Sequence, residues 1–209
     1  MGRHSEKKSS SHRASNSKII TLLIIMFIIV VGAILLNKRD SNKTQVKTTI
    51  NNALSLLKQV DSEKVNEYLE YEKLISGLDE MILTEDTDTA KQIQKKLFSN
   101  LSWNIRKVQI KDEKAIATIE VTNSNYKNII SNWMKEMVSQ KAAKRTITNE
   151  LALEKLSSTI DNEEENETVI KEITLTKVND KWKIVVNDEL RNLVFPGIES
   201  IVSALEEGV

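Results

Sequence analysis

In Lys114-Ala115-Ile116-Ala117-Thr118-Ile119-Glu120-Val121-Thr122-Asn123, apolar and polar residues alternate from Ala117 to Thr122. Ala115, Ala117, Ile119 and Val121 fall on one face, with Thr118, Glu120 and Thr122 on the other. A period of two with one apolar face predicts a half-buried antiparallel strand. Just before it, Trp103, Ile105 and Arg106-Lys107-Val108-Gln109-Ile110 read as a second strand, closed by Lys111-Asp112-Glu113. The short polar break between them predicts a hairpin.

Two more strands are expected further on. Thr168–Val178 carries Ile173 and Leu175, and Lys181-Trp182-Lys183-Ile184-Val185-Val186 follows across Asn179-Asp180, a pair suited to a tight turn. A last helical segment, Ile198–Leu205, is expected after Pro196-Gly197.

Between the hairpins the period changes from two to about four. Ile129-Ile130, Trp133-Met134 and Met137-Val138 predict a helix with a strong apolar stripe, and Leu151, Leu153 and Leu156 a second helix over Ile147–Ile160. Together they form a helical insert over about 125–161, closed by the acidic stretch Asn162–Glu167.

Before the first strand, Ile50, Ala53, Leu54 and Leu57 recur at helical spacing. Asp61, ahead of Glu63 and Lys64, reads as the N-cap of a second helix bearing Val65, Tyr68 and Leu69. A third is expected from Asp86 or Thr87, with Ile93, Leu97, Phe98 and Leu101, and the acids of Thr84–Thr89 suit the positive end of its dipole.

The order of three helices, hairpin, helical insert and a hairpin ending in Asp180-Lys181-Trp182-Lys183-Ile184 resembles the nuclear-transport-factor-2-like fold, over about residues 44–195. It is most similar to the lumazine-binding-like and uncharacterised lipoprotein-type domains of Gram-positive bacteria. The resemblance implies an α+β domain in which a curved antiparallel sheet wraps helices into a cone. Enzymes of that family move protons with an Asp or Tyr inside the cone. Here Tyr68, Tyr71 and Tyr126 are present, but no spacing singles out a pair.

Toward the N-terminus the reading changes character. Ile19–Leu36 is apolar except for Thr21 and carries no charge, and its 18 residues would span about 27 Å as a helix, close to the hydrocarbon thickness of a bilayer. Arg3, Lys7, Lys8, Arg13 and Lys18 precede it against Glu6, while Lys38 and Arg39 follow. That bias predicts a cytoplasmic N-terminus and an exterior C-terminal domain. Residues 1–18 are expected as a basic disordered tail, 19–36 as a transmembrane helix, 37–43 as a polar linker and 44–209 as the extracytoplasmic domain. Val31-Gly32-Ala33 offers small residues for a signal peptidase, but the apolar run continues through Ile34, Leu35 and Leu36, which favours an uncleaved anchor.

Composition narrows the chemistry. There is no cysteine, which excludes disulfides, thiolate metal sites, a cysteine nucleophile and a lipidated cysteine. The two histidines, His4 and His12, lie in the basic tail, so the exterior domain has no imidazole for a Ser/His/Asp triad or the usual zinc sites. A calcium loop of the Asp-x-Asp-x-Asn-Gly kind is absent. After Leu36 there remain 25 basic and 29 acidic residues, a poor footprint for nucleic acid. Richness in Lys, Asn, Ile and Glu with one proline suggests an AT-rich, Gram-positive source.

The expectation is a non-catalytic domain without a cofactor, acting as a protein-interaction or assembly subunit of an envelope complex, by contact with an envelope protein or by self-association. Tail, span and outer domain also match the plan of the core inner-membrane subunit of type IV secretion and conjugation machines. The alternative is a small-ligand module using the pocket of the cone. Trp133, Met134, Met137, Trp182 and Tyr126 are the candidate partner or pocket residues. For Trp182 and Trp133 a place in the core is the plainer expectation, and Trp103 is expected to staple the first strand to the third helix.

Overall fold

The computed structural model describes residues 26, 31, 40–76 and 88–197, the side chains at 88–90 excepted. The chain divides into Met1–Asn42 and Lys43–Val209, and the architecture below is that of the second unit. The segments read as tail, membrane span and final helix lie almost wholly outside the described residues, as do Thr84–Thr87 of the acidic stretch. Among the described residues no helix is long and apolar enough to cross a membrane.

The domain is α+β. Helix α1 covers 40–59 and buries Val46, Ile50, Ala53, Leu54 and Leu57 along one stripe. Residues 40–43, expected as linker, are thus already helical. Asp61 caps α2 (Ser62–Val65) by accepting from the Lys64 amide, as its position predicted. This helix ends after one turn, and Tyr68 and Leu69 lie in the bend beyond it. A short α3 (Tyr71–Ile75), unforeseen from the sequence, adds Tyr71, Leu74 and Ile75 to the core. Next comes α4 (Asp88–Leu97), whose apolar face continues into buried Phe98 and Leu101.

Four strands form one antiparallel meander in the order β1-β2-β3-β4: Ser102–Lys111, Lys114–Ser124, Asn166–Val178 and Lys181–Ile184. On β2 the alternating residues Ala115, Ala117, Ile119 and Val121 are buried, as the pattern demanded. Register places Leu175 opposite Ala115 and Ile173 opposite Ala117, so one face of the sheet is continuous core. On β1 the register shifts between Ile105 and Lys107. This bulge at Arg106 keeps Trp103, Ile105, Val108 and Ile110 all on the core side, which strict alternation across 103–110 would not. Arg106 itself forms a two-point pair with Glu120 of β2, at 2.8 and 3.2 Å. At the β3–β4 turn, Asn179 and Asp180 both have positive φ (49° and 62°), as a tight I′ hairpin turn requires.

The insert consists of α5 (Tyr126–Ala142) and α6 (Asn149–Asp161), capped by Asn125 and Thr148. It packs on its own domain: Leu156 and Ile160 of α6 are buried, and Lys96 of α4 reaches Ser157 and Asp161 at 2.9 and 2.6 Å. A further helix, α7 (Asp188–Val194), was also missed by sequence reasoning. Its cap Asn187, the acids Asp188 and Glu189, and Leu190, Leu193 and Val194 at helical spacing carried the signal.

Candidate functional site

The five candidate residues separate into three environments. Tyr126 is core. It is 1% exposed, donates to the Leu97 carbonyl at 2.6 Å and accepts from the Asn123 amide at 3.0 Å. Phe195 meets its ring edge-on at 5.3 Å and lies 5.6 Å from Phe98. Asn123 is fully buried, and its amide also donates to the Val194 carbonyl at 3.0 Å. One side chain on β2 thereby links the start of α5 with the end of α7. Burial pushes the Tyr126 phenol well above its ordinary range, an effect the Asn123 bond offsets only in part. Burial, with Glu72 nearby, pushes Tyr71 up to about 12. Neither phenol ionises near neutral pH.

Trp133, Met134 and Met137 sit on α5, where burial of the apolar stripe falls along the helix although Gln140 near its end is buried. Ile129 and Ile130 are buried, Trp133, Met134 and Met137 half-buried, and Val138 is 68% exposed. The Trp133 indole donates to the Ala152 carbonyl at 2.9 Å and so clamps α5 to α6. Whether this stripe is core or surface therefore has a divided answer, set by position along one helix. Ile147, just before α6, is also exposed. Lys135, Lys141, Lys144 and Arg145 lie exposed in this part of the insert, with Glu136 on α5 and exposed Glu150 and Glu154 on α6. Lys144 adopts φ 58°, the left-handed conformation that commonly ends a helix.

Trp182 is 3% exposed and faces the core, yet it borders a cleft of about 360 Å³. One wall is a polar face of α1: Thr44, Gln45, Thr48, Thr49 and Asn52 recur at helical spacing. The other comes from Glu67-Tyr68 and from Asp180, Lys181 and Trp182 at the start of β4. Two bonds fix this geometry. The Ile184 amide donates to the Tyr68 carbonyl at 2.8 Å, seating the α2–α3 bend on the edge of β4, and Asn52 donates to the Tyr68 hydroxyl at 3.1 Å. The buried Trp182 Nε1 has no hydrogen-bond partner. The cleft escaped sequence reasoning because it joins α1 and the Tyr68 bend to residues 180–182, over a hundred positions further on. Only the polar spacing of 44, 48 and 52 was visible.

The Trp103 indole donates to Asn51 at 2.8 Å, so it staples β1 to α1, a join the sequence expectation did not include. Lys58 of α1 adds a bond to the Leu101 carbonyl at 3.0 Å.

No protein-family model and no curated protein matches this chain. Among solved structures it is similar to a candidate lipoprotein (ycdA) of Bacillus subtilis subsp. subtilis str. 168, with 17% identity and a TM-score of 0.37 over 68% of this chain and 46% of that one. The chain thus spans less than half of that protein's length.

Proposed function

We propose that this chain is a single-pass membrane protein whose domain from Thr44 stands outside the cytoplasmic membrane and holds another envelope protein, without catalysis. The anchor is read from the uncharged run Ile19–Leu36 and the basic excess before it. The observation that carries the interaction role is the apolar stripe of α5, which runs on past the core. Val138 and Ile147 at that end are exposed and Met134 and Met137 half-buried, among charged residues of both signs. Contiguous apolar surface rimmed by charge favours a protein contact, and methionine adapts its shape to a partner.

The finer reading is a nuclear-transport-factor-2-like cone, used as in the core inner-membrane subunit of type IV secretion and conjugation machines. This second analogy is one of plan, and plan alone does not assign function. It makes other transfer subunits and self-association the expected contacts. A photocrosslinking amino acid at Val138, in intact cells, tests the interaction role, with exposed Val178 as the control position. A discrete protein adduct at 138 and not at 178 is expected. No adduct at 138, nor at Met134 or Ile147, would overturn the proposal.

A second reading, a small-ligand module, is favoured by the polar cleft beside Trp182.

A further inference from the structure

We infer that the cleft between α1 and the β3–β4 turn binds a small, neutral, hydroxyl-rich molecule of the sugar class. This rests on the small-ligand reading of the same cleft, names its ligand class, and uses residues apart from the α5 contact face. The volume of about 360 Å³ lies within the usual range for small-molecule sites. Six of its lining side chains can donate and accept without carrying charge, Thr44, Thr48, Thr49, Gln45, Asn52 and Tyr68, the last two already bonded to each other, and the surface they expose to the cleft is more apolar than polar, as suits the mixed faces of a sugar ring. Such groups match ligand hydroxyls, which also do both.

Charge argues against other classes. Glu67, Asp180 and Lys181 stand at the rim, and Lys177, paired with Asp180 at 3.3 Å, brings the local charge to zero. That rim offers no cationic cluster for a phosphate. Among the described residues no group of three acids or histidines would hold a metal ion.

Trp182 lies on the same wall. Buried indole N–H groups ordinarily find an acceptor, and this one, on a residue of the cleft wall, has none.

The test uses the full chain in lipid nanodiscs free of glycoside detergents, which would compete for the site. Glucose, N-acetylglucosamine and its β-1,4-linked disaccharide are titrated by saturation-transfer difference NMR and calorimetry. Saturable binding of at least one is expected. Thr48→Val, which removes a hydroxyl from an exposed helix position at constant shape, should weaken it about fivefold with unchanged melting. Trp182→Phe should weaken it as well, with folding checked by circular dichroism. No saturation up to about 50 mM, or binding that both variants leave unchanged, would overturn the inference. Retention of the chain on insoluble chitin would assign the sugar to a polymer, whereas binding of soluble sugars alone would assign it to free solute.

Discussion

The hydroxyl of Tyr126 donates to the carbonyl of Leu97 at 2.6 Å, joining the first residue of α5 to the last residue of α4. Through Asn123 the same hydroxyl is tied to the end of β2 and, by the Val194 carbonyl, to α7. Four elements that separate in sequence by up to about a hundred residues meet at one buried polar point. Because these groups are buried, a partner once lost leaves a desolvated polar atom, and the network is costly to break.

Tyr126→Phe keeps the ring against Phe195 but leaves the Leu97 carbonyl short of a donor. A loss of about 1–3 kcal/mol is expected. At about 2–4 °C per kcal/mol for a domain of this size, thermal denaturation resolves it. A melting temperature within 1 °C of wild type, on the order of measurement error, would show that the bond contributes nothing net.

The two ends of the α5 stripe should respond oppositely. Ile129→Ala removes fully buried methyl groups and should cost about 2–4 kcal/mol. Val138→Ser alters an exposed position and should leave stability within about 0.5 kcal/mol while abolishing the crosslink at a neighbouring position. Denaturant titration checks the first claim and crosslinking the second.

Acid sensitivity should report the β1 bulge. The Arg106 guanidinium holds the Glu120 carboxyl below its ordinary value of 4.5. A carboxyl lowered on folding contributes stability that is present above its unfolded pKa and is lost as pH falls through the folded value. Glu120→Gln should therefore flatten the stability–pH curve on the acid side of about pH 5 and leave it unchanged at neutral pH apart from a constant offset. Asp61, lowered by its bonds with Lys64, titrates in the same window, so Asp61→Asn is the companion measurement. Equal slopes in wild type and Glu120→Gln would dismiss the contribution of the pair.

Trp103→Phe should weaken the join between β1 and α1 by about 1 kcal/mol, since it deletes the bond to Asn51 while keeping an aromatic ring. Asn51→Ala in the Trp103→Phe background should add little. A double-mutant cycle measures this coupling, and strict additivity would contradict the staple.

The anchor reading predicts that the mature protein, extracted from membranes, retains Ile19–Leu36. Intact-mass spectrometry decides it, because cleavage after Ala33 would remove the N-terminal 33 residues. Reporter fusions after Lys43 should be active only outside the cytoplasm.

Local periodicity determined much of this protein without help. The β2 alternation, the Asn179-Asp180 turn, the Asp61 cap and the helical insert all follow from rules acting over a few residues: pleat, left-handed φ, orphan amides and helical pitch. The shift at Arg106 was beyond those rules, because a bulge exists only relative to a partner strand. The fate of the α5 stripe was undecided for the same reason. Six apolar residues repeat alike in sequence, and only the position of the sheet and α6 decides that Ile129 is sealed while Val138 meets solvent. Trp182 could be read as inward-facing from its strand, but its place beside Thr48 and Asn52 depends on β4 docking against the Tyr68 bend. Sequence thus determined which residues share a face, since chain geometry sets that locally. Tertiary structure decided what each face meets, since burial depends on segments far apart along the chain.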